Sequence, residues 1–149
     1  MTDNDTADRL MDKRARMMPA LAMMFVAQQA VYFTGSRLDE GKLRLVNYVS
    51  ISGWLVLSVV LLFGLVTGGT LMHGRGVRAL MNDENTRANR AQAFQWGFLF
   101  TMGAAILLYI LSLFTPVDAR ATIHVLTAIG IAAALLRFGM LERRALKGG

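Results

Sequence analysis

The sequence has no cysteine among its 149 residues and only two prolines. The missing cysteines exclude disulfides, iron–sulfur clusters and zinc sites built from thiolates. Charge is also scarce, because Asp, Glu, Lys and Arg make up 17% of the chain, against roughly 25% in an ordinary soluble domain. The charged residues lie between long uncharged runs. We therefore expect a membrane protein that forms one compact unit rather than two domains.

The common motifs of catalysis are missing too. The sequence has no HExxH, no Walker loop and no GxSxG. His73 is expected at the inner end of the second span and His124 at the outer start of the fourth, about 30 Å apart. The predicted interior offers only the amides of Gln28 and Gln29, with His124 and Arg137 nearer its edges. We expect no enzymatic activity, no metal and no cofactor.

Four uncharged or nearly uncharged segments reach the length of about 20 residues that crosses a bilayer. The spans are predicted at about 17–36, 47–72, 91–114 and 122–141. Pro19 suits the first helical turn of span 1, and Pro116 ends span 3 because a helix seldom continues into the residue before a proline. The predicted fold class is an all-α membrane protein. Residues 17–145 form its four-helix domain, with short tails over 1–16 and 146–149.

The basic residues predict the orientation of these spans. If the N-terminus is inside, twelve of the 16 Lys and Arg residues lie in inner segments. The four outer ones are Arg37, Lys42, Arg44 and Arg120. Since basic residues collect on the cytoplasmic side, we expect both termini in the cytoplasm. The net charge of +6 is thereby assigned to span ends, so no direct nucleic-acid binding is expected.

The stretch 82–98, NDENTRANRAQAFQWGF, begins with charged residues and then becomes apolar. Asn82 or Asp83 can accept from free N–H groups of the first turn, so the stretch predicts a helix that starts in water and enters the bilayer. Asp83 and Arg87 are spaced for an ion pair on that helix. The connector before it is basic, with Arg75 and Arg78, and acidic lipid headgroups are its expected partner.

Residues 38–55 repeat this pattern after a shift of 44 positions, with Asp39-Glu40 on Asp83-Glu84. Two interpretations stay open. The echo records an inverted internal repeat, or it reflects the shared requirements of any helix that enters a membrane.

Small and amide residues predict where the helices pack. Gly64 and Gly68 lie on one helical face, and with Gly97 they let another backbone approach, either within the monomer or across a homodimer. Gln28 and Gln29 are expected to hydrogen-bond between helices. The functional alternative for the two glutamines is a polar site inside the bundle.

At 82–98, and again at 123–145, the chain resembles a group of small uncharacterised bacterial four-span membrane proteins. The shared features are an acidic helix start followed by an arginine, here Asp83, Glu84 and Arg87, and a later small-aromatic pair, Gly97-Phe98. The likeness covers roughly 39–145. Members are often encoded beside a helix-turn-helix regulator, so the resemblance implies a role in membrane signalling or in holding a regulator at the membrane.

The leading hypothesis is therefore a non-enzymatic membrane regulator that tethers a soluble cytoplasmic partner, such as a helix-turn-helix transcription regulator. The predicted partner-binding residues are Arg75, Arg78, Asp83, Glu84, Arg87 and Arg90. Arginines there can form charge-assisted hydrogen bonds with partner carboxylates. The alternatives are an accessory subunit of a larger membrane complex, packed through its glycines, and a small transporter or channel that uses Gln28 and Gln29.

Overall fold

The structure is a computed structural model that describes residues 3–36, 45–68 and 84–147, with side chains over 9–29, at 49, and over 51–68 and 84–145. These parts of the chain contain four α-helices and no strand. The helices are α1 (Asp3–Ser36), α2 (Leu45–Thr67), α3 (Glu84–Ser112) and α4 (Ala119–Lys147). The all-α prediction is confirmed for the described residues.

Helices α1, α2 and α4 each bury a stripe of residues spaced alternately by three and four, the period that keeps one face of an α-helix against its neighbours. In α1 the stripe begins with Ala15, Met18, Ala22 and Phe25. In α4 it runs from His124 through Ala128, Ile131, Leu135 and Phe138 to Glu142. The largest fully buried side chains are Phe25, Leu65, Leu135 and Phe138. Helices α1, α2 and α4 thus meet in one core, which Ala93 of α3 joins.

Helix α4 is the centre of the bundle, because its extensive contacts are with α1 and α3 and it also touches α2. In the most apolar 18-residue stretch of α4, 44% of the residues are buried, against 6% in the corresponding stretch of α3. Both α3 and α4 are long and apolar enough to cross a membrane, whereas the apolar part of α2, Ile51–Thr67, is shorter. An ordinary soluble monomer does not expose an apolar surface like that of α3, which includes Phe98, Leu99 and Ile106.

The start of α1 differs from the prediction. The helix begins at Asp3 and continues through Pro19, so the predicted start at residue 17 lies inside the helix. Arg14 and Ala15 are buried in the bundle. A Cβ on Gly139 of α4 would lie 2.6 Å from Pro19 Cδ. Close packing against this glycine accommodates the ring, and tertiary contact offsets the cost of proline in a helix interior.

The other helix ends have local causes. Helix α2 ends at Thr67, earlier than the predicted 72, and Gly68 after it has the left-handed conformation (φ 65°) that favours glycine behind a helix. Asp118 caps α4, since its Oδ2 accepts from the Ala121 N–H at 2.8 Å. Pro116 follows the last turns of α3. Asn82, Asp83 and their predicted capping lie outside the described residues, as do residues 38–44 at the start of the repeated segment 38–55.

Candidate functional site

Arg14 of α1 and Glu142 of α4 form a buried ion pair at one end of the bundle. Both side chains are 5% exposed. Arg14 also donates to the carbonyl oxygen of Gly68 at 3.1 Å and to Thr86 Oγ1 at 3.2 Å. Its guanidinium lies 5.4 Å from the centre of the Phe138 ring. One arginine therefore contacts the start of α3 and the ends of α2 and α4.

Neighbouring side chains extend this arrangement. Asn89 of α3 donates to the other carboxylate oxygen of Glu142 at 3.1 Å. Arg90 donates to the Val66 carbonyl at 2.6 Å, and Arg143 donates through Nε to the Ala15 carbonyl at 3.1 Å. We call Arg14, Thr86, Asn89, Arg90 and Glu142 the Arg14 cluster. It binds all four helices together through side chains from three of them.

The Arg14 cluster supplies the C-terminus of α2 with cations that its own sequence lacks. No basic residue lies in the last turn of α2, and the final carbonyls of a helix have no partner within the helix. Arg14 and Arg90 donate to two of these carbonyls from other helices. A positive charge at this position also opposes the negative end of the helix dipole.

Exposed basic side chains surround the Arg14 cluster. We call Lys13, Arg16, Arg87, Arg143 and Arg144 the basic end of the bundle; all five are exposed. Arg16 forms an ion pair with Asp12 on its own helix at 2.8 Å. The arrangement can hold an acidic surface by many weak contacts, each adjustable because the side chains are in water.

The predicted partner-binding residues do not share one role. Glu84 and Arg87 are exposed at the start of α3. Arg90 is half-buried and donates to the Val66 carbonyl at the end of α2. The sequence did not indicate this structural role. Arg75, Arg78 and Asp83 lie outside the described residues.

The predicted packing glycines also differ from one another. A Cβ on Gly97 would lie 2.9 Å from the Gly130 carbonyl oxygen and 3.0 Å from Ala134 Cβ, so α3 and α4 approach closely there. Gly68 ends α2 instead of forming a helix-packing face with Gly64. A Cβ on Gly64 would meet no described atom within 4 Å.

A second buried polar cluster lies farther along the bundle. Gln29 of α1 donates to the Phe25 carbonyl at 3.0 Å, and its Oε1 hydrogen-bonds with His124 Nε2 of α4. The His124 ring stacks on Trp54 of α2, with 4.2 Å between ring centres and 22° between planes. We call Gln29, Trp54 and His124 the His124 cluster. Gln28 is exposed on another face of α1, so the two glutamines do not form a common polar site.

His124 lies in the second turn of α4, close to the start of that helix, and its side chain is buried. It is only 4% exposed. The nearby Trp54 Nε1 and Ser58 Oγ are buried without a hydrogen-bond partner among the described residues. The Arg14–Glu142 pair was also missed, because 128 positions separate its members. Its one signal was that Glu142 is the sole acidic residue after Asp118.

Neither cluster has the composition of a metal centre, and the described residues contain no group of three or more His, Asp or Glu side chains that could hold an ion. Comparison with known proteins adds no assignment: the chain matches no protein-family model, no curated protein and no solved structure.

Proposed function

We propose that the chain is a non-enzymatic protein of the bacterial inner membrane, with four membrane-crossing helices and both termini in the cytoplasm. Its basic end binds an acidic surface on a soluble cytoplasmic protein, and a helix-turn-helix regulator is one such partner. The observation that carries the proposal is the asymmetry of the bundle. Exposed basic side chains from α1, α3 and α4 gather around the Arg14 cluster, while the outer face of α3 is apolar.

Helix direction supports the orientation. The Arg14 cluster joins the early part of α1 and the start of α3 to the ends of α2 and α4, so successive helices run in opposite directions. The basic residues of the basic end then lie on one side of the membrane. By the positive-inside rule that side is the cytoplasm.

The structure changes which residues are suited to partner binding. Reversing the charge of Arg90 would remove a hydrogen bond to α2 as well as a surface charge, so it cannot test docking alone. Arg87 and Arg144 are both exposed, and no described hydrogen bond or ion pair of the bundle uses either side chain. They are the residues on which we base the docking proposal.

The test is a pulldown of the tagged full-length protein in mild detergent, followed by binding measurements with the purified partner. We expect a soluble acidic protein at stoichiometric level, released as salt is raised because exposed charges are screened. The double variant Arg87→Glu and Arg144→Glu should weaken binding about tenfold or more, since mutating interface charges alters association strongly. Arg120→Glu, at the other end of the bundle, is the matched control and should bind normally. A verified partner that binds the folded double variant with unchanged affinity would contradict the proposal.

A second candidate, an accessory subunit of a membrane complex, is favoured by one face of α2. Gly53, Val56, Val60 and Gly64 follow one another at helical spacing, the valines are exposed, and neither glycine Cβ would meet a described atom within 4 Å. Such a face allows another transmembrane helix to approach. Recovery of membrane subunits in the same pulldown, bound until Gly64 is replaced by Leu, would favour this candidate over the soluble partner.

A further inference from the structure

A groove runs along α4 between α1 and α3, with a volume of about 540 Å³. Val26 and Gln29 form its α1 wall, and Trp96 and Phe100 form its α3 wall. Its floor is the α4 face that includes Ala128, Ala132, Ala133 and Arg137. We call this space the α4 groove. Val26 and Phe100 are about half exposed, so the groove opens sideways, toward the surroundings of the bundle.

The dimensions of the α4 groove suit a lipid chain. Its floor extends from Val125 to Met140, which at 1.5 Å per residue is roughly 22 Å. One leaflet contributes about half of the 30 Å hydrocarbon core, so the groove is about 7 Å longer than one leaflet is thick. The small alanine side chains of the floor leave space in the groove. Apart from Gln29 and Arg137, the lining is apolar or aromatic.

Arg137 places a positive charge in this apolar setting without a carboxylate. Its Nη2 donates to Gln92 Oε1 at 3.3 Å, and its guanidinium lies 5.2 Å from the Trp96 ring centre. No ion pair to Arg137 occurs among the described residues, and its Nε is buried without a hydrogen-bond partner among them. A guanidinium has five N–H donors, so an anionic ligand would satisfy groups that the described part of the protein leaves open.

We propose that the α4 groove binds one anionic phospholipid, with an acyl chain along the alanine floor and the phosphate at Arg137. Guanidinium groups recognise phosphate through paired, charge-assisted hydrogen bonds. Trp96 lies beside Arg137, and tryptophan is enriched at the level of lipid headgroups. The inference rests on the membrane placement proposed above but is independent of the soluble partner, since it is tested on the purified protein alone.

The experiment titrates purified, delipidated full-length protein in mild detergent with phosphatidylglycerol or phosphatidylcholine of identical acyl chains, and counts bound lipid by native mass spectrometry. We expect one site that binds phosphatidylglycerol at least about tenfold more tightly than phosphatidylcholine. This ratio of affinities corresponds to the free energy of one hydrogen bond to a charged group. Arg137→Gln should abolish the preference. Arg120→Gln, which removes an exposed arginine outside the groove, should preserve it.

A second variant fills the groove and leaves the charge in place. Ala133→Leu should lower phosphatidylglycerol binding about tenfold while the helical circular dichroism and elution volume stay unchanged. Equal affinity for the two lipids, or phosphatidylglycerol binding that survives Ala133→Leu, would overturn the proposal. Inorganic phosphate that binds as tightly as the lipid, or a homodimer that covers the groove, would overturn it as well.

Discussion

The Arg14 cluster and the His124 cluster link helices inside the bundle with different chemical groups. Both place polar groups inside an apolar bundle. The Arg14 cluster contains a full ion pair and joins all four helices. The His124 cluster consists of an amide, an imidazole and an indole, and joins α1, α2 and α4. Glu142 and His124 are 18 residues apart on α4, about 27 Å along the helix axis.

The difference shows where an apolar helical bundle can hold charge. At the basic end, helix termini leave carbonyls that need donors, and the exposed arginines around the Arg14 cluster indicate nearby water. In the ion pair there, Glu142 accepts a further hydrogen bond from Asn89, and Arg14 donates one to the Gly68 carbonyl. At the His124 cluster, the linked helices contribute Gln29 and Trp54 from inside α1 and α2, and His124 from the second turn of α4. Neutral side chains are sufficient to link them, and the desolvation cost is smaller.

The largest expected effect comes from leaving Arg14 without its counter-charge. Glu142→Gln keeps the shape of the side chain but removes the negative charge, and a buried charge without its partner costs about 3–5 kcal/mol of unfolding free energy. Chemical or thermal unfolding of the detergent-solubilised protein measures the loss. Glu84→Gln, on an exposed residue, should change stability by less than about 0.5 kcal/mol. Equal effects of the two substitutions would show that the Arg14 cluster is no more important than the surface.

A smaller loss is expected at the end of α2. Gly68→Ala forces a side chain into the left-handed conformation, at a cost of roughly 1–2 kcal/mol, and shifts the carbonyl that Arg14 uses. Gly64→Ala, in the helix interior with open space beside it, should stabilise the protein by up to about 1 kcal/mol. Unfolding of the two variants side by side gives the comparison. Destabilisation by Gly64→Ala as large as that by Gly68→Ala would exclude a special role for the α2 terminus.

The smallest effect is expected at the His124 cluster. Gln29→Leu removes a neutral hydrogen bond between helices, and such bonds average about 0.6 kcal/mol in a membrane protein. Gln28→Leu changes the neighbouring, exposed amide and should be neutral or slightly stabilising. The same unfolding assay measures both. A loss at Gln29 that equals the loss at Glu142 would remove the distinction between the two clusters.

The helical architecture could be predicted because long uncharged runs and Pro116 are local signals. The boundaries near Pro19 and Gly68 could not. Helix α1 passes through its proline because Gly139, 120 positions away, leaves space for the ring. Gly68 looks like half of a packing motif with Gly64, and its left-handed conformation, with Arg14 and Arg90 placed beside it, shows that it follows the end of α2.

The candidate site was predictable only in part. The basic character of the loop and of the start of α3 is visible in the sequence, and exposed Arg87 agrees with a surface role. Whether Arg14, Arg90 or His124 faces water or the core depends on which helices surround it. That information is held in contacts between residues far apart in the chain, such as Arg14 with Glu142 and Gln29 with His124.

The most direct test of the central claim, that Arg14 and Glu142 clamp the four helices, is a double-mutant cycle. The unfolding free energy is measured for the wild type, Arg14→Met, Glu142→Met and the double variant. Because apolar replacement of both partners removes the uncompensated charge, the double variant should be more stable than the sum of the single losses predicts, by about 2 kcal/mol or more. Losses that add within about 0.5 kcal/mol, as for independent sites, would contradict the claim.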